Sequence, residues 1–123
     1  MFGNNLAYLR KRKKINQEEL AKVIGVAKPT LSSYEQNKRM PDMEIQGKIA
    51  DYFGVSLDYL HDRVNRPDGA SDEDVLDIEK AIHDNVAMLY GGITLDEEDK
   101  QKLEEILRLV FWDKIKERKN NKD

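Results

Sequence analysis

Four residues between positions 28 and 33 carry groups that could recognise the edges of nucleic-acid bases: Lys28, Pro29, Ser32 and Ser33. A lysine ammonium can donate hydrogen bonds to O6 or N7 of guanine, a serine hydroxyl can bond to several bases, and a proline ring can contact the methyl group of thymine. No general base accompanies the two serines here, which makes nucleophilic catalysis a poor explanation. None of the four makes the bidentate contact that arginine or glutamine offers, so we expect modest affinity from one copy of the chain.

Two short helices joined by a tight turn would position these residues. Apolar residues recur at helical spacing through this region, and Gly25 interrupts them. Asn16 is a good N-cap for a first helix over residues 17–24, which Gly25 can end by adopting left-handed backbone. A second helix is predicted over residues 28–36. Pro29 is tolerated in its first turn, because the missing N–H has no intrahelical acceptor to lose.

A sequence pattern extends over this pair of helices: Gln17, Leu20, Ala21, Gly25, Val26, Leu31, Tyr34, Glu35 and Pro41. In order and spacing these residues resemble the helix-turn-helix of Cro/C1-type phage repressors and other Xre family regulators. The segment VAKPTLSSYEQN is also similar to the corresponding helix of SinR-like regulators. The resemblance implies an all-α protein, with a five-helix domain of the lambda-repressor type that binds double-stranded DNA.

The resemblance also implies which residues contact DNA. The start of the second helix would enter the major groove, with Lys28, Pro29 and Ser33 facing bases and Ser32 reaching the base edges or lying nearer the backbone. The implied phosphate contacts are Gln17 and Thr30, together with Asn37, Lys38 and Arg39 in the loop that follows. Arg10 is predicted to contact phosphate for a different reason: it begins a run of five basic residues at the end of the first helix, which could face phosphate or could only complement the helix dipole.

Two residues depart from the family pattern. Ala27 replaces the usual Ser or Thr, which removes a side-chain cap and a phosphate hydrogen bond. Asn37 replaces the usual Gly, and asparagine is the non-glycine residue that best tolerates positive φ.

The rest of the first domain follows from caps and breaks in the pattern. A first helix is predicted over residues 2–14, ending in a basic cluster. Asp42 would cap a helix that Gly54 ends, and Ser56 would cap a last short helix. The DNA-binding domain is therefore predicted over residues 1–66, followed by a linker over 67–70 that contains Pro, Asp and Gly.

Residues 71–123 predict a two-helix hairpin. Ser71 with Asp74 would cap its first helix, a pair of glycines at 91 and 92 would break the chain, and Thr94 with Glu97 would start a long helix over 95–119.

One apolar stripe is predicted on the long helix, with Trp112 and Leu109 on its flank. Some 50 residues with so few large apolar side chains make a weak independent fold, which favours assembly into a homodimer or tetramer. The alternative is that the hairpin packs against its own first domain. The residues predicted to assemble are Leu103, Ile106, Leu107, Val110, Phe111, Trp112 and Ile115.

Charge is distributed unevenly along the chain. Residues 1–66 contain 12 Lys and Arg against 8 Asp and Glu, a net charge of +4, whereas residues 67–123 contain 9 against 16, a net charge of −7. This asymmetry is typical of a nucleic-acid-binding unit joined to one that does not touch phosphate, although surfaces also differ in charge without such a reason.

Other functions find less support. His61 and His83 are isolated, there is no cysteine or glycine-rich phosphate loop, and the acids at 72–74 coincide with a helix start, so we expect no catalytic residue, metal or cofactor. No apolar run approaches the roughly 20 residues of a membrane span, and we expect a cytoplasmic, nucleoid-associated protein without membrane contact. An antitoxin-like regulator, whose hairpin neutralises a protein partner, remains an alternative.

The short hairpin has no room for the self-cleaving domain of lambda-type repressors. We therefore expect inactivation by a protein antagonist or a protease, and DNA binding at paired half-sites about one helical turn apart.

Overall fold

The computed structural model describes residues 1–64, 66–89 and 96–120, in which all regular secondary structure is helical. The chain divides into two compact units, Met1–Val64 and Asn65–Asp123. The predicted all-α class is thus confirmed. The described residues form seven helices: α1 Phe2–Arg12, α2 Gln17–Ile24, α3 Lys28–Glu35, α4 Met43–Phe53 and α5 Leu57–Leu60 in the first unit, and α6 Asp72–Leu89 and α7 Glu97–Asn120 in the second.

The helix-turn-helix forms as its caps predict. The Asn16 side chain accepts a hydrogen bond from the Glu19 N–H at 2.8 Å, and Gly25 ends α2 with φ of +78°. Helix α3 ends at Glu35, one residue earlier than predicted, because the backbone of Gln36 leaves the helical region with ψ near 2°. Helix α1 ends at Arg12 instead of Lys14, and Lys14 adopts a positive φ of 60°.

Side-chain caps also start the next two helices. Asp42 accepts a hydrogen bond from the Ile45 N–H at 2.9 Å, and Ser56 accepts one from the Tyr59 N–H at 3.0 Å. Gly54, with φ of +66°, ends α4. These predicted caps are confirmed, which fixes the directions in which α4 and α5 leave the helix-turn-helix.

A single apolar core holds the five helices of the first unit together. Each helix contributes at least one fully buried side chain, and burying a side chain of this size contributes about 1.5–3 kcal/mol. The most completely buried are Leu6, Leu9, Leu20, Ile24, Leu31, Ile49 and Leu60. Helix α3 is thereby packed on α1 and α2, which leaves its opposite face to solvent.

The second unit is an antiparallel pair of helices. Its buried cluster consists of Ile78 and Ile82 from α6 with Trp112 and Ile115 from α7. Two ion pairs join the helices at different heights: Arg108 Nε lies 2.8 Å from Glu79 Oε1, and Lys119 Nζ binds Asp74 Oδ2. Because 74 pairs with 119 and 79 with 108, the helices run in opposite directions.

Reciprocal capping starts both helices of this pair. The predicted Ser71 and Asp74 box is confirmed, with both backbone-to-side-chain bonds at 3.0 Å. Helix α7 begins at Glu97, preceded by a box between Asp96 and Asp99 in which the Asp99 N–H donates to Asp96 at 2.8 Å. The predicted break at residues 91–92 and the cap at Thr94 lie outside the described residues.

Candidate nucleic-acid interface

Helix α3 presents a short polar face to solvent. Leu31 and Tyr34 are buried and turn one side of α3 into the core, with exposed fractions of 0% and 6%. At about 100° per residue, the opposite side carries five residues that are exposed or half-buried. We define these as the reading face: Lys28, Pro29, Ser32, Ser33 and Gln36. The four residues predicted to contact bases therefore share one accessible surface.

The start of α3 carries no side-chain cap. Ala27 occupies the N-cap position with extended backbone and makes no side-chain hydrogen bond, in agreement with the departure seen in the sequence. Pro29 lies within the first turn, where its ring costs no helical hydrogen bond. The backbone N–H groups in the first turn of α3 therefore have no side-chain cap and can donate to an external acceptor.

A buried carboxylate braces the helix-turn-helix from behind. Glu35 Oε2 accepts a hydrogen bond from Arg10 Nε at 2.7 Å, and its Oε1 accepts from Arg10 Nη2 at 3.1 Å. Arg10 Nη1 also donates to the Ile15 carbonyl at 3.0 Å. The side chains of Arg10 and Glu35 are only 13% and 6% exposed. Arg10, predicted from the basic cluster to contact phosphate, therefore joins α1 to the end of α3.

The carboxylate of Glu35 also orients Gln17. Gln17 Nε2 donates to Glu35 Oε1 at 3.1 Å, so the first residue of α2 is bonded to the last residue of α3. One N–H and the amide oxygen of Gln17 remain for another partner. Sequence reasoning matched Glu35 to the family pattern without assigning it a role, because its partners lie 18 and 25 residues away.

Asn37 anchors the loop that follows α3. It has the positive φ that its place in the pattern predicts, at 61°. Its Oδ1 accepts the Gly3 N–H at 2.8 Å, and its Nδ2 donates to Asn4 Oδ1 at 2.7 Å. A β-carbon at Gly3 would lie 2.3 Å from the Tyr34 carbonyl oxygen, so glycine is required for this close approach. The Asn37 side chain, a predicted phosphate contact, thus already bonds to α1.

The far end of this loop is anchored as well. Gln46 is buried and donates from Nε2 to the Pro41 carbonyl at 2.7 Å. Lys38 and Arg39, predicted phosphate contacts, are exposed between the two anchors. Their backbone is consequently held in place while their side chains stay accessible, which is the arrangement that suits contact with a polyanion.

The remaining predicted positions differ in exposure. Thr30 is half-buried on α3, beside the reading face. In the basic cluster after α1, the Lys13 ammonium lies 3.9 Å from the centroid of the Tyr52 ring, a cation–π contact that directs it back to α4. Lys11 and Lys14 are exposed. The cluster is therefore partly structural and partly available to a ligand.

Helix α7 carries two apolar faces where the sequence predicts one stripe. Five of the residues predicted to assemble pack within their own unit: Leu103, Leu107, Phe111, Trp112 and Ile115. Trp112, predicted on the flank of the stripe, is buried against α6 with an exposed fraction of 8%. Ile106, Leu109 and Val110 point away and are 59%, 67% and 47% exposed. We define these three as the outer α7 face.

Neither a metal-binding cluster nor a membrane-spanning helix is found in the part of the chain that the structure describes. Across residues 1–64, 66–89 and 96–120, no group of three or more His, Cys, Asp or Glu is placed to hold a metal ion. Within the same ranges, no helix is both long and apolar enough to cross a membrane.

Known proteins share the pattern of the first unit. A family model described as Helix-turn-helix matches residues 6–60. The uncharacterized HTH-type transcriptional regulator YqaE of Bacillus subtilis is 40% identical over 60 residues, which are 49% of this chain and 52% of that protein. The chain thus spans about half the length of this relative.

Two further relatives match over most of their length. The cryptic phage CTXphi transcriptional repressor RstR of Vibrio cholerae is 31% identical over 103 residues, 84% of this chain and 81% of that protein. The SPbeta prophage-derived uncharacterized HTH-type transcriptional regulator YonR of Bacillus subtilis is 26% identical over 113 residues, 90% of this chain and 97% of that protein. No solved structure matches the chain significantly.

Proposed function

Because this chain belongs to the Cro/C1-type (Xre) family of helix-turn-helix transcription regulators, we propose that it is a sequence-specific repressor that binds paired half-sites as a dimer. The observation that carries the proposal is the reading face of α3, a compact polar surface on a helix whose other side is fully packed. The similarity to RstR, which is named as a phage transcriptional repressor, supports repression in preference to activation.

The reading face suits the major groove of B-DNA, which is about 12 Å wide and admits one helix. Lys28, at the exposed start of α3, would donate to guanine, Ser33 would bond to a neighbouring base, and Pro29 would contact a thymine methyl. The side chains of serine and proline are short, so only Lys28 reaches far at this end. One half-site therefore provides limited discrimination, and a second copy of the chain would supply the remainder.

Phosphate contacts would hold the helix in register. Gln17 and Thr30 would contact the backbone on one side of α3, and Lys38 and Arg39 on the other. We propose that Arg10 and Asn37 act behind these residues, because their polar groups already bond to Glu35 and to α1. The phosphate contacts would add affinity for DNA of any sequence, whereas Arg10 and Asn37 would keep the contacting residues in place.

The outer α7 face would join two copies. Ile106, Leu109 and Val110 form a patch that the hairpin itself leaves exposed. An antiparallel pair of α7 helices centred between Ile106 and Leu109 would place Lys102 opposite the partner's Asp113, so opposite charges would flank the apolar contact. A closed two-fold dimer of this kind uses the same patch on both copies.

A footprint on the DNA upstream of its own gene tests the function. The full-length protein should protect two related half-sites whose centres are about 34–36 Å apart on one side of the duplex. A single unpaired footprint, or uniform coverage without sequence preference, would contradict the proposal.

The dimer surface has its own test. Ile106→Asp combined with Leu109→Asp should halve the molar mass measured by light scattering and weaken operator binding, because two charges would be buried in the apolar contact. Gln101→Asp, which adds one negative charge at an exposed position of α7 outside this face, is the control and should change neither. A double variant that keeps the wild-type mass would place the assembly surface elsewhere.

A further inference from the structure

Gln36 belongs to the reading face although it lies at the C-terminal end of α3. Gln36 lies seven positions after Pro29, which at 100° per residue is nearly two full turns, so the two residues lie one above the other. Gln36 is exposed and forms the C-cap of α3. The eight residues of α3 extend over about 12 Å, comparable with the width of the major groove, so the last turn stays close to the bases when the first turn binds.

Ser32 holds the amide of Gln36 in a defined position. Gln36 Nε2 donates to Ser32 Oγ at 2.8 Å, one helical turn back. A glutamine amide has two N–H donors and one carbonyl acceptor, so this bond leaves one N–H and Oε1 free. When the N–H trans to Oε1 makes this bond, the cis N–H stays beside Oε1 on the planar amide, whose rotation the bond to Ser32 restricts.

A free N–H beside a free carbonyl oxygen matches one base in the major groove. Adenine presents N7 as an acceptor and the N6 amino group as a donor, and glutamine binds this pair in a bidentate manner. Guanine presents two acceptors and cytosine one donor there, and neither satisfies both groups of the amide. The residues at the start of α3 offer no such bidentate contact, so Gln36 would add the discrimination they lack.

From this geometry we infer that Gln36 is a specificity-determining residue that reads an adenine in each half-site, and that Ser32 is its positioning residue. The inference rests on the proposed function, since it requires α3 to lie in the major groove. Because the bond to Ser32 already orders the amide, an exposed glutamine held in this way loses less conformational entropy when it binds a base. Ser32 thus acts through Gln36, by orienting its amide.

Selection of preferred sites from a random DNA pool tests the inference with the full chain. Wild type should select a motif with an adenine at one position of each half-site. Gln36→Ala should lose the preference at that position alone, with about 10-fold weaker binding to the wild-type motif. Gln36→Glu should change the preference from adenine to cytosine, because a carboxylate only accepts hydrogen bonds.

Two further variants separate positioning from simple loss of a contact. Ser32→Ala should relax the same base position as Gln36→Ala, whereas Ser32→Thr, which keeps the hydroxyl, should preserve the adenine. Gln101→Ala on α7 is the control and should select the wild-type motif. A Ser32→Ala motif that changes at a different position would overturn the positioning role.

The outcomes for the inference and for the proposed function are distinct. If wild type selects a motif but Gln36→Ala and Gln36→Glu select the same one, the reading role of Gln36 is wrong and the repressor proposal stands. An equal loss of affinity by Gln36→Ala on all sequences would also overturn the inference, because it would indicate a phosphate contact. If wild type selects no motif at all, the proposed function itself fails.

Discussion

The reading face of α3 and the outer α7 face are both exposed, yet they are supported in different ways. Around the reading face, hydrogen bonds join distant parts of the chain, as between Glu35 and Arg10 or between Asn37 and Gly3. The outer α7 face consists of three apolar side chains that make no hydrogen bonds, and α7 itself is held on its other side by the apolar cluster and by the ion pairs of Arg108 and Lys119 with α6.

The difference follows from the kind of partner each face suits. Hydrogen bonds to a base depend on direction, and ordering a mobile side chain on binding costs about 0.5–1.5 kcal/mol, so a polar reading surface benefits from being held beforehand. The hydrophobic effect has no direction and scales with area, so an apolar surface needs little more than exposure. Hydrogen bonds therefore position the groups around the polar reading face, whereas the outer α7 face needs only exposed apolar area.

The largest effect is expected from removing the charge that braces α3. Glu35→Gln would leave the nearly buried Arg10 without its counter-charge, which should lower the free energy of unfolding of the first unit by about 3 kcal/mol. Urea unfolding followed by circular dichroism would measure the loss. Fluorescence of Trp112, the only tryptophan in the chain, would follow the second unit separately.

An exposed glutamate provides the control for this variant. Glu44 forms an i,i+4 pair with Lys48 at 3.9 Å, and its side chain is 80% exposed. Glu44→Gln should change stability by less than about 0.5 kcal/mol, since exposed pairs contribute little. If Glu35→Gln were no more costly than this control, the role assigned to Glu35 in holding α3 would be wrong.

A second effect concerns the reading face itself. Lys28→Ala should lose about 1–3 kcal/mol on the preferred site and little on random DNA, because a base contact is made at only one sequence. Competition binding at fixed salt would measure both losses. Lys22→Ala, at an exposed position of α2 outside the reading face, is the matched control. An equal loss on both kinds of DNA would reassign Lys28 to a phosphate.

A smaller, sequence-independent effect is expected in the loop after α3. Lys38→Ala should weaken binding to all sequences alike and reduce the slope of log K against log salt by about 1, since one fewer counterion is released. Lys48→Ala on α4 is the control and should leave the slope unchanged. A loss confined to one sequence would show that Lys38 reads a base.

The smallest expected effect lies in the second unit and depends on pH. The Lys119 ammonium beside Asp74 holds the pKa of that carboxyl below its ordinary value of 3.8, with hydrogen bonds from Ser71 acting in the same direction against the effect of burial. Because the folded-state pKa is lowered, the ion pair stabilises the folded state above pH 3.8. This contribution is lost as the pH falls through the folded value.

Urea unfolding followed by Trp112 fluorescence at pH 7 and at acidic pH measures this contribution. Asp74→Asn should reduce the acid sensitivity of the second unit, because the variant has no carboxyl to protonate at that position. Asp84→Asn, at an exposed position of α6, is the control and should keep the wild-type dependence. Equal acid sensitivity in wild type and Asp74→Asn would remove the assigned role of the ion pair.

Local chemistry made much of the fold predictable. The ends of α2, the caps at Asp42, Ser56 and Ser71, and the positive φ of Asn37 all depend on residues within a few positions of one another. Helix periodicity and capping preferences report such short-range relations directly. Lys28, Pro29, Ser32 and Ser33 share one face for the same reason, since one helix positions all four.

Contacts between distant residues required the folded chain. The sequence shows Glu35 and Asn37 in the family pattern, yet only packing brings Arg10, Gln17 and Gly3 to them, across separations of 18 to 34 residues. On α7 the apolar residues are visible in the sequence, but which of them face α6 depends on how two helices dock. Periodicity specifies a helix and its faces, whereas the partner of each face is a property of the assembled core.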